Sequence, residues 1–85
     1  MSYLTIQKGL DEKFRIPLRA IDKIVIPNQK GNIVHHKKDG DYVITVNYKE
    51  REPFEIKFYN KCWEEVEEVV KQLKQVVRPS LFKMN

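Results

Sequence analysis

The chain has one cysteine, three glycines scattered singly and no long apolar run, and each shortage excludes a class of protein. The separated glycines form no glycine-rich phosphate-binding loop. One cysteine cannot close a disulfide within the chain, and the first residues lack the basic and apolar regions of a secretory signal peptide. We therefore expect a cytoplasmic location. No uninterrupted apolar run exceeds the three residues found at 24–26, whereas a helix that spans a membrane needs about 20. We expect no transmembrane segment.

Eighty-five residues provide room for one domain, because a chain of this size buries only about 60–65% of the surface that its unfolded form exposes. Apolar residues make up 41% of the chain and charged residues 33%, which is typical of a globular protein. We expect a single sheet-plus-helix domain over residues 1–78 and a C-terminal tail over residues 79–85. The tail either folds back through Leu81 and Phe82 or stays free.

The formal net charge of +4 lies wholly in the first half of the chain. Residues 1–40 carry eight lysines and arginines against four acids, whereas residues 41–85 carry eight of each. A basic surface attracts phosphate-bearing partners such as nucleic acid or an anionic lipid. A lysine-rich solvated surface that binds neither explains the same charge, so both interpretations stay open at this stage.

Alternating apolar and polar residues predict five or six short strands. In the clearest stretches, 42–48 and 54–58, every second residue is apolar, which is typical of an antiparallel sheet that packs on one side. Residues 3–7, 14–18 and 33–36 continue the pattern, and Pro17 indicates a strand end or a sheet edge because it lacks an N–H group. Between Leu18 and Ile24 the apolar spacing becomes three, which favours a helical turn. Asp39-Gly40 is typical of a hairpin turn.

An amphipathic helix is predicted after the last of these strands. Apolar residues recur there at spacings of three and four, Asn60 is a candidate N-cap, and Pro79 is expected to end the helix. The predicted fold is therefore α+β, with a bent antiparallel sheet of five or six strands closed by one C-terminal amphipathic helix. The predicted core residues are Ile44, Val46, Ile56, Phe58, Trp63, Val66, Val70 and Leu73.

This order of elements resembles a small bacterial pleckstrin-homology-like (PH-like) domain. The resemblance rests on residues 16–24 ahead of the central strands and on the single helix after them. In that family a large apolar or aromatic residue of the helix plugs the open end of a bent sheet, so the resemblance implies plug positions for Trp63 and Leu73. The family usually has more strands than are predicted here, which implies either a trimmed member or a different sheet-plus-helix fold.

The same resemblance points to a candidate anion-binding set in the first hairpin. Family members that bind phosphoinositides carry basic residues there, and Lys8 followed by Lys13-Phe14-Arg15 is similar to that pattern. Lys13 and Arg15 project on one side of a strand and could bind phosphate together with Lys8 from across the turn. Acidic residues between them oppose an anion, and a solvated hairpin is the competing interpretation. Lys37 and Lys38 extend the candidate set.

The residue types that carry chemistry do not form a catalytic or metal-binding pattern. His35 and His36 are adjacent in a predicted strand, so they point to opposite faces, and Cys62 is distant in sequence. Cys62 lies near a helix start, where the dipole favours a thiolate, but the sequence offers no evident activating partner. We therefore expect no catalytic residue, no metal site, no cofactor and no enzymatic activity.

The sequence thus favours a non-enzymatic interaction module, an adaptor or an inhibitor, that binds a protein partner or another copy of itself. A sheet of few strands has exposed edges, which proteins either protect or use for strand addition. Pro17 and Pro53 resemble edge protection. The predicted strand without such protection is the candidate interaction edge: Ile33, Val34, His35 and His36. The alternative function is an anion binder that recognises nucleic acid or membrane phosphates through the basic first half.

Overall fold

A computed structural model gives the arrangement of residues 2–28 and 39–84. Six strands and one α-helix occur in this part of the chain, so the protein is α+β, as predicted. The elements in chain order are β1 (Tyr3–Lys8), β2 (Glu12–Pro17), β3 (Ile21–Ile26), β4 (Asp39–Tyr48), β5 (Phe54–Cys62), α1 (Trp63–Lys74), a 3-10 turn (Pro79–Leu81) and β6 (Phe82–Met84).

The six strands form two sheets. β1 and β2 make an antiparallel hairpin, with Tyr3 opposite Pro17 and Lys8 opposite Glu12. The other sheet has the order β5-β4-β3-β6, in which β6 lies parallel to β3 and the remaining pairs are antiparallel. The prediction of a purely antiparallel sheet is therefore wrong for the β3–β6 pair. The turn after α1 brings the C-terminal residues alongside the edge of β3 that β4 does not occupy.

The core lies between the two sheets and the helix. Trp63 and Val70 of α1 are partly buried against it, and the Trp63 ring meets the Tyr42 ring edge-on with 5.1 Å between centroids. Aliphatic and aromatic side chains from all three layers therefore share one apolar interior. The most deeply buried side chains are Ile6, Ile16, Ile24, Ile44, Val46, Ile56, Phe58, Val66, Val69 and Leu73.

A β-bulge at the start of β3 replaces the helical turn predicted between Leu18 and Ile24. Ile21 and Ile24 are both buried although they are three residues apart, because the register between β3 and β4 shifts between Ile21 and Lys23. An extra residue in one strand returns the next apolar side chain to the same face. The chain enters β3 through a tight turn in which Ala20 has φ of +63° and its carbonyl accepts from the Lys49 N–H at 2.9 Å.

A second bulge explains why Asn60 is not the helix N-cap. The helix begins at Trp63, and the N-cap residue Cys62 makes no side-chain capping bond. Asn60 has φ of +51° at a shift in the β4–β5 register, and its N–H donates to Asp41 Oδ1 at 2.8 Å. Asparagine tolerates this left-handed conformation better than most residues. At its other end the helix stops at Lys74, before the predicted limit at Pro79.

The helix also completes the outer edge of β1. The side-chain amide of Gln72 accepts a hydrogen bond from the Gln7 N–H at 2.9 Å and donates one to the Gln7 carbonyl at 2.8 Å. One side chain therefore provides the donor and the acceptor that a neighbouring strand would provide. Across residues 2–28 and 39–84, no helix has the length and apolar character that crossing a membrane requires.

Tyr48 connects the hairpin to the four-stranded sheet. Its hydroxyl donates a hydrogen bond to the Pro17 carbonyl at 2.5 Å, and the Arg51 guanidinium lies over its ring, 5.7 Å from the centroid. Burial raises the pKa of the Tyr48 phenol above its ordinary value, and the positive charge of Arg51 partly offsets this by lowering the pKa.

Candidate functional site

β5 lies at one end of the four-stranded sheet, and among the described strands only β4 pairs with it. The register places Val43 opposite Lys57 and Ile44 opposite Ile56. The Lys49 N–H donates to the Ala20 carbonyl, so the backbone groups of the odd-numbered residues of β4, including Val43, face β3. Lys57, opposite Val43, therefore turns its backbone groups away from β4, and its carbonyl accepts a hydrogen bond from Lys8 Nζ at 2.6 Å. Alternate residues of an antiparallel strand face the same side. The backbone N–H and C=O groups of Glu55 therefore point outward as well.

An open groove of about 470 Å³ lies beside this edge, between β5 and the β1–β2 hairpin. Its apolar part contains Phe14 and Phe54, whose rings stack with 5.8 Å between centroids and an interplanar angle of 21°. Phe54 is 36% exposed and the neighbouring Tyr59 is 63% exposed. The outward backbone groups of β5 therefore lie next to aromatic surface that water still reaches.

Lys8 partly covers the edge from the hairpin side. Its side chain is only 14% exposed and lies 3.4 Å from Glu12 Oε2, and its ammonium group lies 5.4 Å from the centroid of the Phe58 ring. Together with the bond to the Lys57 carbonyl, these contacts hold the Lys8 ammonium group in the lining of the groove. An inward-pointing charged side chain is a known way of protecting a strand edge.

Two further charges lie on the outer face of β5. Glu55 and Lys57 are about half exposed, and their charged atoms are 3.9 Å apart. An exposed ion pair at this distance contributes little to stability. Both side chains can therefore exchange this contact for one with a partner at small cost.

The structure divides the candidate anion-binding set. Lys13 and Arg15 share the outer face of the hairpin, where the Arg15 guanidinium lies 5.7 Å from the centroid of the Tyr3 ring. Lys8 is opposite Glu12 and therefore lies on the inner face, where the contacts described above engage it. The turn between β1 and β2 sets this register, which places Lys8 one position out of phase with Lys13 and Arg15. Lys37 and Lys38 lie outside the described residues.

The interaction edge predicted from the sequence, at Ile33, Val34, His35 and His36, also lies outside the described residues. Sequence reasoning did not single out the edge of β5. The signal available in the sequence was the order of the elements. A helix, not a strand, follows β5, so β5 has no hairpin partner on its second edge.

The described residues contain no group of three or more histidine, cysteine, aspartate or glutamate side chains placed to hold a metal ion. Cys62 is partly exposed and its thiol is free. The acidic residues of the first turn of α1, Glu64 and Glu65, are the type that complements the helix dipole.

Comparison of the chain with protein-family models, with curated proteins and with solved structures finds no match. The geometry of the site is therefore the basis for assigning a function. What that geometry defines is an α+β protein with an outward-facing strand edge beside an aromatic groove.

Proposed function

We propose that this protein is a small non-enzymatic interaction module that binds a protein partner by strand addition at the edge of β5. The observation that carries the proposal is the outward-facing backbone of Glu55 and Lys57 beside the groove that contains Phe14 and Phe54. In strand addition, main-chain hydrogen bonds supply affinity, and pockets for alternate side chains supply specificity. The edge and the groove provide these two parts.

The manner in which β5 is protected supports the proposal. The edge of β1 is occupied by the Gln72 amide, which satisfies a donor and an acceptor together, and β2 ends in a proline. By contrast, β5 contains no proline from residue 54 to residue 62, and Pro53, which resembles edge protection, lies just before the strand. Among the described residues, the side-chain bond to the outer edge of β5 comes from Lys8. A carbonyl oxygen has two lone pairs, so an incoming N–H can bind there whether or not Lys8 leaves.

We include in this proposal a PH-like relationship and a cytoplasmic location. The helix that follows the strands packs Val66, Val69 and Leu73 into the sheet core, which supports the PH-like interpretation. The single cysteine supports a reducing compartment. A compact module of this kind acts through its surface, as an adaptor or as an inhibitor of a larger protein.

The first test is a comparison of three immobilised baits: the wild-type chain, Lys57→Pro and Lys57→Ala. Proline at position 57 removes an N–H that β4 does not use, and its ring occupies the space that an added strand needs. Alanine removes the same charge but leaves the edge open. We expect proteins captured from a cytoplasmic extract by the wild type and by Lys57→Ala to be absent from Lys57→Pro.

Captured proteins that bind all three baits equally would contradict strand addition at β5. Parallel captures at high salt and after nuclease treatment address the anion-binding alternative, because phosphate recognition weakens steeply as salt rises. Capture of nucleic acid or anionic lipid that salt releases from all three baits would replace the proposal with the alternative. Circular dichroism of each bait checks that the substitutions leave the fold intact.

A further inference from the structure

We infer that the partner at the β5 edge is a second copy of this chain, paired with the first through β5 about a two-fold axis. The inference rests on the proposed function and names its partner. Its starting point is that the two residues with outward-facing backbone, Glu55 and Lys57, also carry opposite charges on the same exposed face. A strand edge with this pattern is complementary to its own antiparallel copy.

The charges select one register. When Ile56 lies opposite Ile56 of the second copy, Glu55 of each chain lies opposite Lys57 of the other, and the symmetry creates this pair twice. A shift of two residues in one direction places Lys57 opposite Lys57, and a shift in the other direction places Glu55 opposite Glu55. Like charges directly opposite one another destabilise a strand pair, whereas opposite charges stabilise it. Self-pairing therefore has one favoured alignment.

The backbone fits the same alignment. In an antiparallel pair, residues that both face the neighbouring strand exchange two N–H···O=C bonds. Glu55 and Lys57 are such residues, so the favoured register forms two doubly bonded pairs, related by the axis through Ile56. The Lys57 carbonyl, which accepts from Lys8 at 2.6 Å in the single chain, then accepts from the Glu55 N–H of the second copy.

The favoured register also brings side chains together on the inner face of β5. The register places Phe54 of one chain opposite Phe58 of the other, on the side where the groove of about 470 Å³ provides space. Phe58 is fully buried, whereas Phe54 is 36% exposed. A second strand laid along β5 covers part of the exposed Phe54 ring, whereas Phe58, already buried within its own chain, adds no free surface to this contact. An isologous interface of this kind closes after two chains.

The test is sedimentation equilibrium of the wild type and of two charge reversals, Glu55→Lys and Lys57→Glu. We expect the wild type to form dimers within about 10 μM to 1 mM. Each reversal places like charges opposite each other twice, so each should raise the dissociation constant roughly tenfold to a hundredfold. An equimolar mixture of the two variants restores both opposite-charge pairs and should recover dimers close to the wild-type level.

Glu67→Lys and Lys49→Glu are matched controls, because each makes the same change of charge at an exposed position away from β5. They should dimerise as the wild type does. A wild-type chain that stays monomeric up to about 1 mM would overturn the inference, and so would reversals that dimerise normally or a mixture that shows no recovery.

The bait experiment, together with sedimentation equilibrium of Lys57→Pro, separates failure of this inference from failure of the proposed function. If the wild type is monomeric but Lys57→Pro loses a protein that Lys57→Ala retains, the edge binds a different partner and only the inference fails. If the chain dimerises and Lys57→Pro dimerises equally well, the interface lies elsewhere, and both the inference and the proposed use of β5 fail.

Discussion

Replacing Gln72 by leucine should destabilise the protein although the residue lies on the helix surface. Leucine is similar in size but cannot bond to the Gln7 N–H or the Gln7 carbonyl, which Gln72 reaches at 2.9 and 2.8 Å. A hydrogen bond contributes about 0.5–1.5 kcal/mol net, and both groups are partly buried, so we expect a loss of about 1–2 kcal/mol. For a chain of this length, that corresponds to a decrease in melting temperature of about 5–15 °C.

Urea denaturation measures this loss, and hydrogen exchange at the Gln7 amide locates it. Gln75→Leu is the matched control, because it introduces the same apolar side chain at an exposed position just beyond the helix. We expect the control to remain within about 0.5 kcal/mol of the wild type. Equal stabilities for the two variants, with unchanged exchange at Gln7, would refute the conclusion that the helix completes the β1 edge.

Two further outcomes test the core and the attachment of the hairpin. Leu73 is fully buried, so Leu73→Ala should lower the free energy of unfolding, measured by urea denaturation, by about 2–5 kcal/mol. Val76 is 51% exposed, so the control variant Val76→Ala should lower it little. Similar losses for both variants would contradict the packing of α1. Because burial holds the Tyr48 pKa above its unfolded value of 10.0, the neutral phenol contributes stability below pH 10.0 that is lost as the pH rises through the folded pKa. Tyr48→Phe should remove this alkaline loss, and an identical pH profile for wild type and variant would contradict it.

The sequence predicted the elements whose side-chain pattern follows from burial on one face. In β4 and β5, the apolar positions alternate because one side of the sheet packs on the core, and the structure buries Tyr42, Ile44, Val46, Ile56 and Phe58 accordingly. The helix was predicted for the same reason, since its apolar positions recur at the helical period. Its predicted bounds, an N-cap at Asn60 and an end at Pro79, differ from the observed helix, which begins at Trp63 and stops at Lys74 without a proline or glycine signal.

Bulges were the main source of error in the fold. The spacing of three between Ile21 and Ile24 is compatible with a helical turn and with a bulged strand, and only the pairing with β4 distinguishes them. Asparagine is a typical N-cap residue, but it is also favoured at a left-handed position in a bulge. Both the isoleucine spacing and the asparagine are compatible with two local structures. Contacts between residues distant in sequence decide which of the two forms.

The candidate site depended still more on distant contacts. The alternation of Glu55 and Lys57 is visible in the sequence, but whether a second strand covers that edge depends on the order of the strands in the sheet. The candidate anion set failed to assemble for a related reason. A turn that pairs Lys8 with Glu12 sends Lys8 to the face opposite Lys13 and Arg15, and one residue more or less in the turn would reverse this.

The edges of the described strands differ in how firmly they are protected, and this difference connects the fold to the proposed function. The Gln72 amide makes two bonds to one residue of β1, so removing it leaves a donor and an acceptor unsatisfied. At β5 the Lys8 side chain makes one bond, and an added strand replaces that bond with a backbone N–H. If Lys8 leaves the Lys57 carbonyl, its ammonium group still has Glu12 as a neighbour. An incoming strand can replace the Lys8 bond with a backbone hydrogen bond. Lys8 therefore prevents indiscriminate pairing at β5 and still allows binding to a segment with complementary charges.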